Sequence, residues 1–373
     1  MTAVDWGSSN LGFAASCAVD VVIVCAAAWW LARRPAASRL AVALVFATCV
    51  LAVKGLVLLA NGVTIPFGVL HVLWLDLGVA LPLAGVTYLA AGRGRTSRWS
   101  QAIAVAAVLA APFAFYAGVV EPGGLTTERT TVGLAPERAG QAPIRVAVLS
   151  DLQFEHLSER EAEAVARAMS ERPDLILLTG DIHQGSPKAL VQELVSIREL
   201  LGGLHAAGGV FAVQGDVESV GEARAVTAGT GVRLLRNDVV RTTVRDRAVT
   251  IAGMELAWDS PAARRAAARL ETSPRRGDVR LLLAHRPDAA LPLSRATRID
   301  LTVAGHTHGG QVQLPLIGPL MTASKVPREV AGGGLHDLAG KRIYVSRGIG
   351  VERDQAPRIR FGAKPEVTIL TLR

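Results

Sequence analysis

The chain has 373 residues, room for two domains, and half of it is apolar with a mean hydropathy of +0.34, more than a purely water-soluble protein carries. Its net charge of +8 is scattered arginine with no basic run interleaved with aromatics, which argues against a nucleic-acid partner. The three cysteines, Cys17, Cys25 and Cys49, all lie in apolar segments, so neither a disulfide framework nor a thiolate metal cluster is available after Glu121.

In chain order, the charge-poor region 1–120 reads as a membrane domain. A spanning helix needs about 20 mostly apolar residues, and four segments qualify: roughly Leu11 to Leu31, Leu40 to Ala60, Ile65 to Ala90 and Ala102 to Val120. No basic region precedes the first, which disfavours a cleaved signal peptide. Arg33, Arg34 and Arg39 follow the first segment, and Arg93, Arg95 and Arg98 follow the third, whereas the turn at Asn61 and Gly62 has no basic residue. The positive-inside rule then predicts cytoplasmic first and third loops, with the N-terminus and everything after Glu121 extracytoplasmic. Asp20, Lys54, His71 and Asp76 fall within the spans; Lys54 is expected to snorkel to an interface, and His71 and Asp76 to pair inside the bundle.

Residues 121–143 are polar and rich in Gly, Pro and Thr, and read as a linker. From Ile144 to Arg373 short apolar runs alternate with helical segments, as in an α/β domain whose strands are buried on both faces. The runs "IRVAVLSD", "DLILLTGD" and "VFAVQGD" are strands. The first two are followed by helices, at 158–172, with Ser158 as cap and Glu161 closing a capping box, and at 187–205. Further on come "AVTIAG", "VRLLLAH" and "IDLTVAGHTHGG".

The strand ends carry the chemistry. The first three close on Asp151, Asp181 and Asp216, "LLLAH" closes on His285, and "LTVAG" runs into His306 and His308. Ligands in α/β sheets bind beyond the carboxyl ends of strands, so five strands aim carboxylates and imidazoles at one edge. That donor set suits Mn, Fe or Zn, with Asp181 as the natural bridge between two cations. Two divalent ions about 4 Å apart clamp a phosphoryl group and activate a hydroxide for in-line attack. The expected reaction is metal-assisted phosphoester hydrolysis.

The ordered set "SDLQ", "GDIH", "GDVE", "LLLAHRPD" and "GHTHGGQ" resembles the motifs of the calcineurin-like metallophosphoesterases over nearly all of 144–373, and the tail is similar to a bacterial membrane-attached branch. The resemblance implies a four-layer α/β/β/α sandwich. It also implies one metal on Asp151, Asp181 and His308, and a second on Asp181, Asp216, His285 and His306. Two positions depart from the pattern. Gln153 stands where the family has a ligand His; its carbonyl can still bind a metal, more weakly. Asp216 and Val217 stand in place of Asn-His, which removes the usual leaving-group acid. His156, His183 and Glu218 are the candidate substitutes, with His183 and Glu218 placed nearest the chemistry by sequence. The expected protein is a membrane-anchored phosphodiesterase or pyrophosphatase acting on a phosphodiester or a lipid-linked diphosphate, its first metal site weak. The alternative is a catalytically degenerate metal- or ligand-binding sensory module on a membrane anchor.

Overall fold

The computed structural model describes residues 6–34, 53–54, 66–92, 96–273, 275, 277–353 and 355–373. The chain divides into two compact units, Met1–Val120 with Glu352–Arg358, and Glu121–Val351 with Ile359–Arg373.

In the first unit, α1 (Trp6–Ala32), α2 (Pro66–Leu75), α3 (Leu81–Ala91) and α4 (Arg98–Phe115) are almost free of charge. A π-helical turn at Asp76–Ala80 joins α2 and α3 into one rod. Among the described residues, three stretches are long and apolar enough to cross a membrane: Gly12–Ala32, Phe67–Ala91 and Arg98–Gly123. The span expected at 40–60 lies outside the described residues except for Val53 and Lys54, as do the loop arginines Arg39, Arg93 and Arg95. Lys54 does not snorkel: its Nζ lies 2.8 Å from an Asp20 carboxylate oxygen and also pairs with Asp76. His71, expected against Asp76, instead stacks on Phe13 with ring centroids 4.5 Å apart. Buried in apolar surroundings, a cation and two carboxylates lower one another's desolvation cost, which explains the departure from both expectations.

The second unit is built on two six-stranded mixed sheets. The first holds β1 (Thr126–Val132), β2 (Ile144–Leu149), β3 (Leu175–Leu178), β4 (Val210–Ala212), β5 (Val232–Leu234) and the C-terminal β14 (Glu366–Leu372), in the order β1-β14-β2-β3-β4-β5. The second holds β6 (Asp238–Val244), β7 (Arg247–Gly253), β8 (Val279–Leu283), β9 (Leu301–Ala304), β12 (Gly334–Asp337) and β13 (Arg342–Val345), in the order β12-β13-β9-β8-β7-β6. The short ribbon β10 (Gln313–Leu314) and β11 (Gly318–Pro319) stands apart from both.

Side-chain alternation makes the layers. Ile144, Val146 and Val148 of β2 and Leu175 and Leu177 of β3 join Val279, Leu281, Leu283, Leu301 and Val303 in the core between the sheets. Ala147, Leu149, Ile176 and Leu178 point the other way, toward Ala164, Ala168, Ile197 and Leu201 of α5 (Glu159–Ser170) and α6 (Pro187–Gly202). Ala252 and Leu282 pack on Ala263, Ala266 and Leu270, from Pro261–Glu271. The unit is therefore an α/β/β/α sandwich, and the central strand β3 is apolar throughout because both of its faces are covered. Ser158 and Glu161 form the expected capping box on α5.

The segment read as a linker is partly sheet: β1 pairs in parallel with β14, from Thr126 opposite Glu366 to Val132 opposite Leu372. Its TTERTTV sequence is polar because it is an edge strand with its outer side chains in water.

Candidate metal centre

The parallel neighbours β2, β3 and β4 deliver Asp151, Asp181 and Asp216 to one edge, and the parallel neighbours β8 and β9 deliver His285, His306 and His308 to it. Five residues of this edge hold left-handed backbone: Asp151 (φ 49°), Gln153 (41°), Asp181 (55°), His306 (71°) and His308 (48°). Each costs about 1–3 kcal/mol, and such strain concentrates where side-chain direction matters more than backbone comfort. Two glycines clear the space. A Cβ on Gly215 would overlap the Asp181 carboxylate, and one on Gly305 would overlap Ser150 Oγ and Asp151 Oδ2.

Asp216, His285 and His306 bring one donor atom each within 4.8 Å of one another, as do Asp151, Asp181 and His285. His285 Nε2 lies 3.2 Å from Asp216 Oδ1 and 3.4 Å from Asp181 Oδ2, and His306 Nδ1 lies 3.2 Å from Asp216 Oδ2. The outward nitrogens set the tautomers. His285 Nδ1–H donates to the Thr179 carbonyl at 2.8 Å and His306 Nε2–H to the Ala323 carbonyl at 3.2 Å, which turns the other nitrogen of each ring toward the carboxylates as a ligand. The donor set thus fits divalent cations with mixed nitrogen and oxygen preference.

His308 fits less simply. Arg360, fully buried, donates from Nη2 to His308 Nδ1 at 3.1 Å and to the Gly348 and Gly350 carbonyls. The neutral ring then carries its proton on Nε2, 3.7 Å from Asp151 Oδ1 and without a hydrogen bond among the described residues. Burial, opposed by Asp151 and reinforced by Arg360, lowers the imidazole to about 3. Gln153, expected as a weak carbonyl ligand, is fully buried and donates its amide to Asp181 Oδ2 at 3.1 Å, so here it steadies that carboxylate.

The carboxylates are crowded. Burial pushes Asp181 well above the usual carboxylate range, with Asp151, Asp216 and Glu218 adding to the rise and His285 opposing it. Burial also raises Asp216, but hydrogen bonds from His285 and His306 outweigh it and hold this carboxyl far below its ordinary value. Burial would lower His285, yet the charge of Asp181 and the bond to Asp216 lift it to about 10. A cation must expel that proton to reach Nε2. Apparent Mn²⁺ affinity should therefore rise with pH, about tenfold per unit from neutral toward 10, with roughly one proton released per ion. Titration calorimetry in buffers of different ionisation enthalpy measures both; an affinity flat across pH 6–9 would contradict the protonated His285.

The two residues expected to supply acid–base chemistry do other work. His183 Nε2 bonds the Glu155 carbonyl at 3.1 Å and its ring meets Phe154 edge to face, so it pins the loop after β2 to the loop after β3. Glu218 is buried and accepts from Ile182 N at 2.9 Å and Gly215 N at 3.1 Å, tying the Asp181 loop to the Asp216 loop. Both side chains are engaged by backbone groups of the neighbouring loops. Glu218→Ala strands those buried N–H groups at about 1–3 kcal/mol each, and should lower both the unfolding midpoint and metal affinity, the latter by about 10–100-fold. Unchanged metal binding in an unfolding-corrected titration would remove this role. His156, exposed, pairs with Glu193 at 3.1 Å.

Sequence reading passed over Arg286 and Arg360. Arg286 Nη2 donates to Asp216 Oδ2 at 2.6 Å and offsets the charge that aspartate adds where the family has asparagine. Its position next to His285 was the available signal. Arg360 had none, being one arginine in an arginine-rich tail.

No protein-family model matches the chain. The uncharacterized metallophosphoesterase YkuE of Bacillus subtilis is 32% identical over 283 residues, covering 73% of this chain and 94% of that one. The phosphodiesterase YaeI of Escherichia coli is 28% identical over 278 residues, covering 72% of this chain and 96% of that one. Among solved structures, a dimetal phosphatase from Danio rerio matches at a TM-score of 0.37 and 12% identity, over 56% of this chain and 88% of that chain, too distant to bear on the fold or the reaction. A relative at that identity over nearly its whole length, together with the carboxylate and imidazole ligands gathered at one sheet edge, shows that the chain belongs to the metallophosphoesterases, metal-dependent phosphoester hydrolases of the calcineurin-like type that its motifs resemble.

Proposed function

We propose that the chain is a membrane-anchored phosphodiesterase or pyrophosphatase whose catalytic unit lies on the extracytoplasmic side and whose substrate is a phosphodiester or a lipid-linked diphosphate. The observation that carries the reading is the pair of ligand groups, Asp216-His285-His306 and Asp151-Asp181-His285, which overlap at His285. Asp181, Asp216, His285 and His306 would hold one divalent ion firmly. Asp151, Asp181, His308 and Gln153 would hold a second more weakly, because His308 is engaged by Arg360 and Gln153 turns its amide N–H to Asp181. When bound, such ions supply Lewis acidity and charge neutralisation at a phosphoryl group.

The chain's own residues do the rest. Asp181 and Asp216 are oriented by the Val217 N–H and by Arg286. Arg286, with a side chain 40% exposed, keeps donors for a phosphoryl oxygen at the mouth of the site. Val217 offers no proton to a departing oxygen, so a leaving group that departs as a stable anion is favoured. That preference favours a diphosphate or an aryl diester, while the phosphodiesterase among the relatives supports phosphodiesters as the wider substrate class. The extracytoplasmic placement rests on the arginine-bearing loops after the first and third apolar segments.

The test is hydrolysis of bis(p-nitrophenyl) phosphate by the purified full chain with Mn²⁺, beside Asp181→Asn. Turnover that the variant lacks supports the reading, whereas metal binding without turnover on aryl diesters or diphosphates points to the sensory module. For topology, a periplasm-active reporter fused after Glu121 should be active, and a silent fusion reverses the orientation.

A further inference from the structure

The loop that follows the metal-binding histidines carries four exposed apolar side chains close together in sequence, among them Leu316, the most exposed large apolar residue among the described residues. Leu316 is 108% exposed, Ile317 62%, Leu320 51% and Met321 36%. They surround the turn of the β10–β11 ribbon, and Leu316 itself has φ +67°, unusual for a bulky residue, which holds its side chain out. The ribbon is not loose. Gln313 N donates to the Phe361 carbonyl at 2.7 Å and its side-chain amide to the carbonyls of Gly309 and Gly332 at 3.0 and 2.6 Å. Arg328 donates to the Pro319 and Leu320 carbonyls, and Asp288 accepts from Ser324 Oγ and Lys325 N. A folded protein does not ordinarily brace four aliphatic side chains in water.

Residues 312–324 include no charged side chain, and the exposed Lys325, Arg328 and Glu329 follow, a flank that is basic on balance. An aliphatic tip with a basic flank is the pattern of a segment that enters the headgroup and acyl boundary of an anionic bilayer. A protein-binding patch would be richer in Tyr, Trp and Arg at its centre. The same chain has three helices able to cross a bilayer, which keeps a lipid surface within reach.

We infer that the β10–β11 ribbon is an interfacial anchor: Leu316, Ile317, Leu320 and Met321 insert into the lipid surface, with Lys325 and Arg328 at the phosphate level. The insertion has a consequence for the metal centre, because four residues past β11 the chain reaches Ala323, whose carbonyl fixes the His306 ring. The site then opens at the headgroup plane, where the phosphodiester or diphosphate of an embedded lipid lies. Insertion stands by itself, while service to a lipid substrate rests on the phosphodiesterase reading above.

Two measurements separate these. The full chain, with Cys17, Cys25 and Cys49 replaced by alanine, is labelled with an environment-sensitive fluorophore at Leu316→Cys and reconstituted in phosphatidylglycerol–phosphatidylethanolamine vesicles. A matched label at Val191→Cys, on the exposed side of α6, is the control. The label at 316 should shift to the blue and be quenched by nitroxide-bearing lipids, with neither effect at 191. Equal water exposure at the two sites overturns the anchor whatever the activity. Leu316→Ser combined with Ile317→Ser should leave hydrolysis of bis(p-nitrophenyl) phosphate unchanged and lower hydrolysis of a vesicle-embedded fluorescent phospholipid by at least about tenfold. An equal effect on both substrates overturns the lipid-access role. Absence of turnover on either by the parent chain sinks the phosphodiesterase reading while the fluorescence result still decides the anchor.

Discussion

Asp181→Asn should lose at least about 10³-fold in kcat/KM, roughly 4 kcal/mol of transition-state stabilisation, the scale of one lost charge contact to a metal-held phosphoryl group. The expectation follows from position. Oδ2 of Asp181 faces His285 Nε2 at 3.4 Å and the Gln153 amide at 3.1 Å, and Oδ1 accepts the Val217 N–H at 3.1 Å. It belongs to the Asp151-Asp181-His285 group and reaches the Asp216-His285-His306 group through His285, the member the two share. Asparagine is the right replacement because the backbone there has φ 55°, a left-handed conformation that asparagine tolerates and alanine resists. The same change should not destabilise the metal-free protein. Burial raises Asp181 and is opposed by His285, while Asp151, Asp216 and Glu218 add to the rise, so neutralising it relieves desolvation and like-charge repulsion that together outweigh the lost attraction to His285. The unfolding midpoint in chelator should therefore stay level or rise as activity disappears. Activity within tenfold of the parent, or a midpoint that falls by many degrees, would remove Asp181 from the ligand set.

Why the site was readable and parts of the fold were not follows from what each residue does in the chain. Val146–Leu149 and Leu175–Leu178 are apolar at every position and Leu301–Ala304 at all but Thr302, because both sheet faces are covered, so each run ends visibly where charged or glycine-flanked polar side chains begin. In a parallel sheet those ends share one edge, and so Asp151, Asp181, Asp216, His285, His306 and His308 could be gathered from the sequence before any coordinates. Strand β1 was not readable. Its polar edge-strand sequence imitates a linker, and its partner β14 lies more than two hundred residues away, from Thr126 to Glu366. Glu218 and His183 were legible as polar residues near the metals but not as loop staples, because their partners are backbone N–H and C=O groups with no sequence signature. Arg360 shows the same limit. A buried arginine that donates to three backbone carbonyls and a histidine reads, in sequence, like any surface arginine.

Val217→His should restore what this chain lacks, and the gain should depend on the leaving group. The Val217 N–H is held by Asp181 Oδ1 at 3.1 Å, so the residue stands at the rim of the ligand cluster with a half-buried, apolar side chain that carries no proton. A positioned general acid contributes about 10²–10⁴-fold, most where the departing oxygen is basic. The parent enzyme should accordingly show a steep dependence of rate on leaving-group acidity: fast for p-nitrophenolate or phosphate, slow for alkoxides. In Val217→His the alkyl diesters should gain on the order of 10²-fold while bis(p-nitrophenyl) phosphate changes little. Alkyl-diester hydrolysis should also acquire a descending limb above the ordinary imidazole range near about 6.5, since only the protonated ring donates. A uniform gain on every substrate would mean that the new ring binds the phosphoryl group and is no acid. No gain on any would place residue 217 away from the leaving oxygen and leave Arg286, held against Asp216 with its remaining donors at the mouth of the site, as the group that stabilises the departing charge.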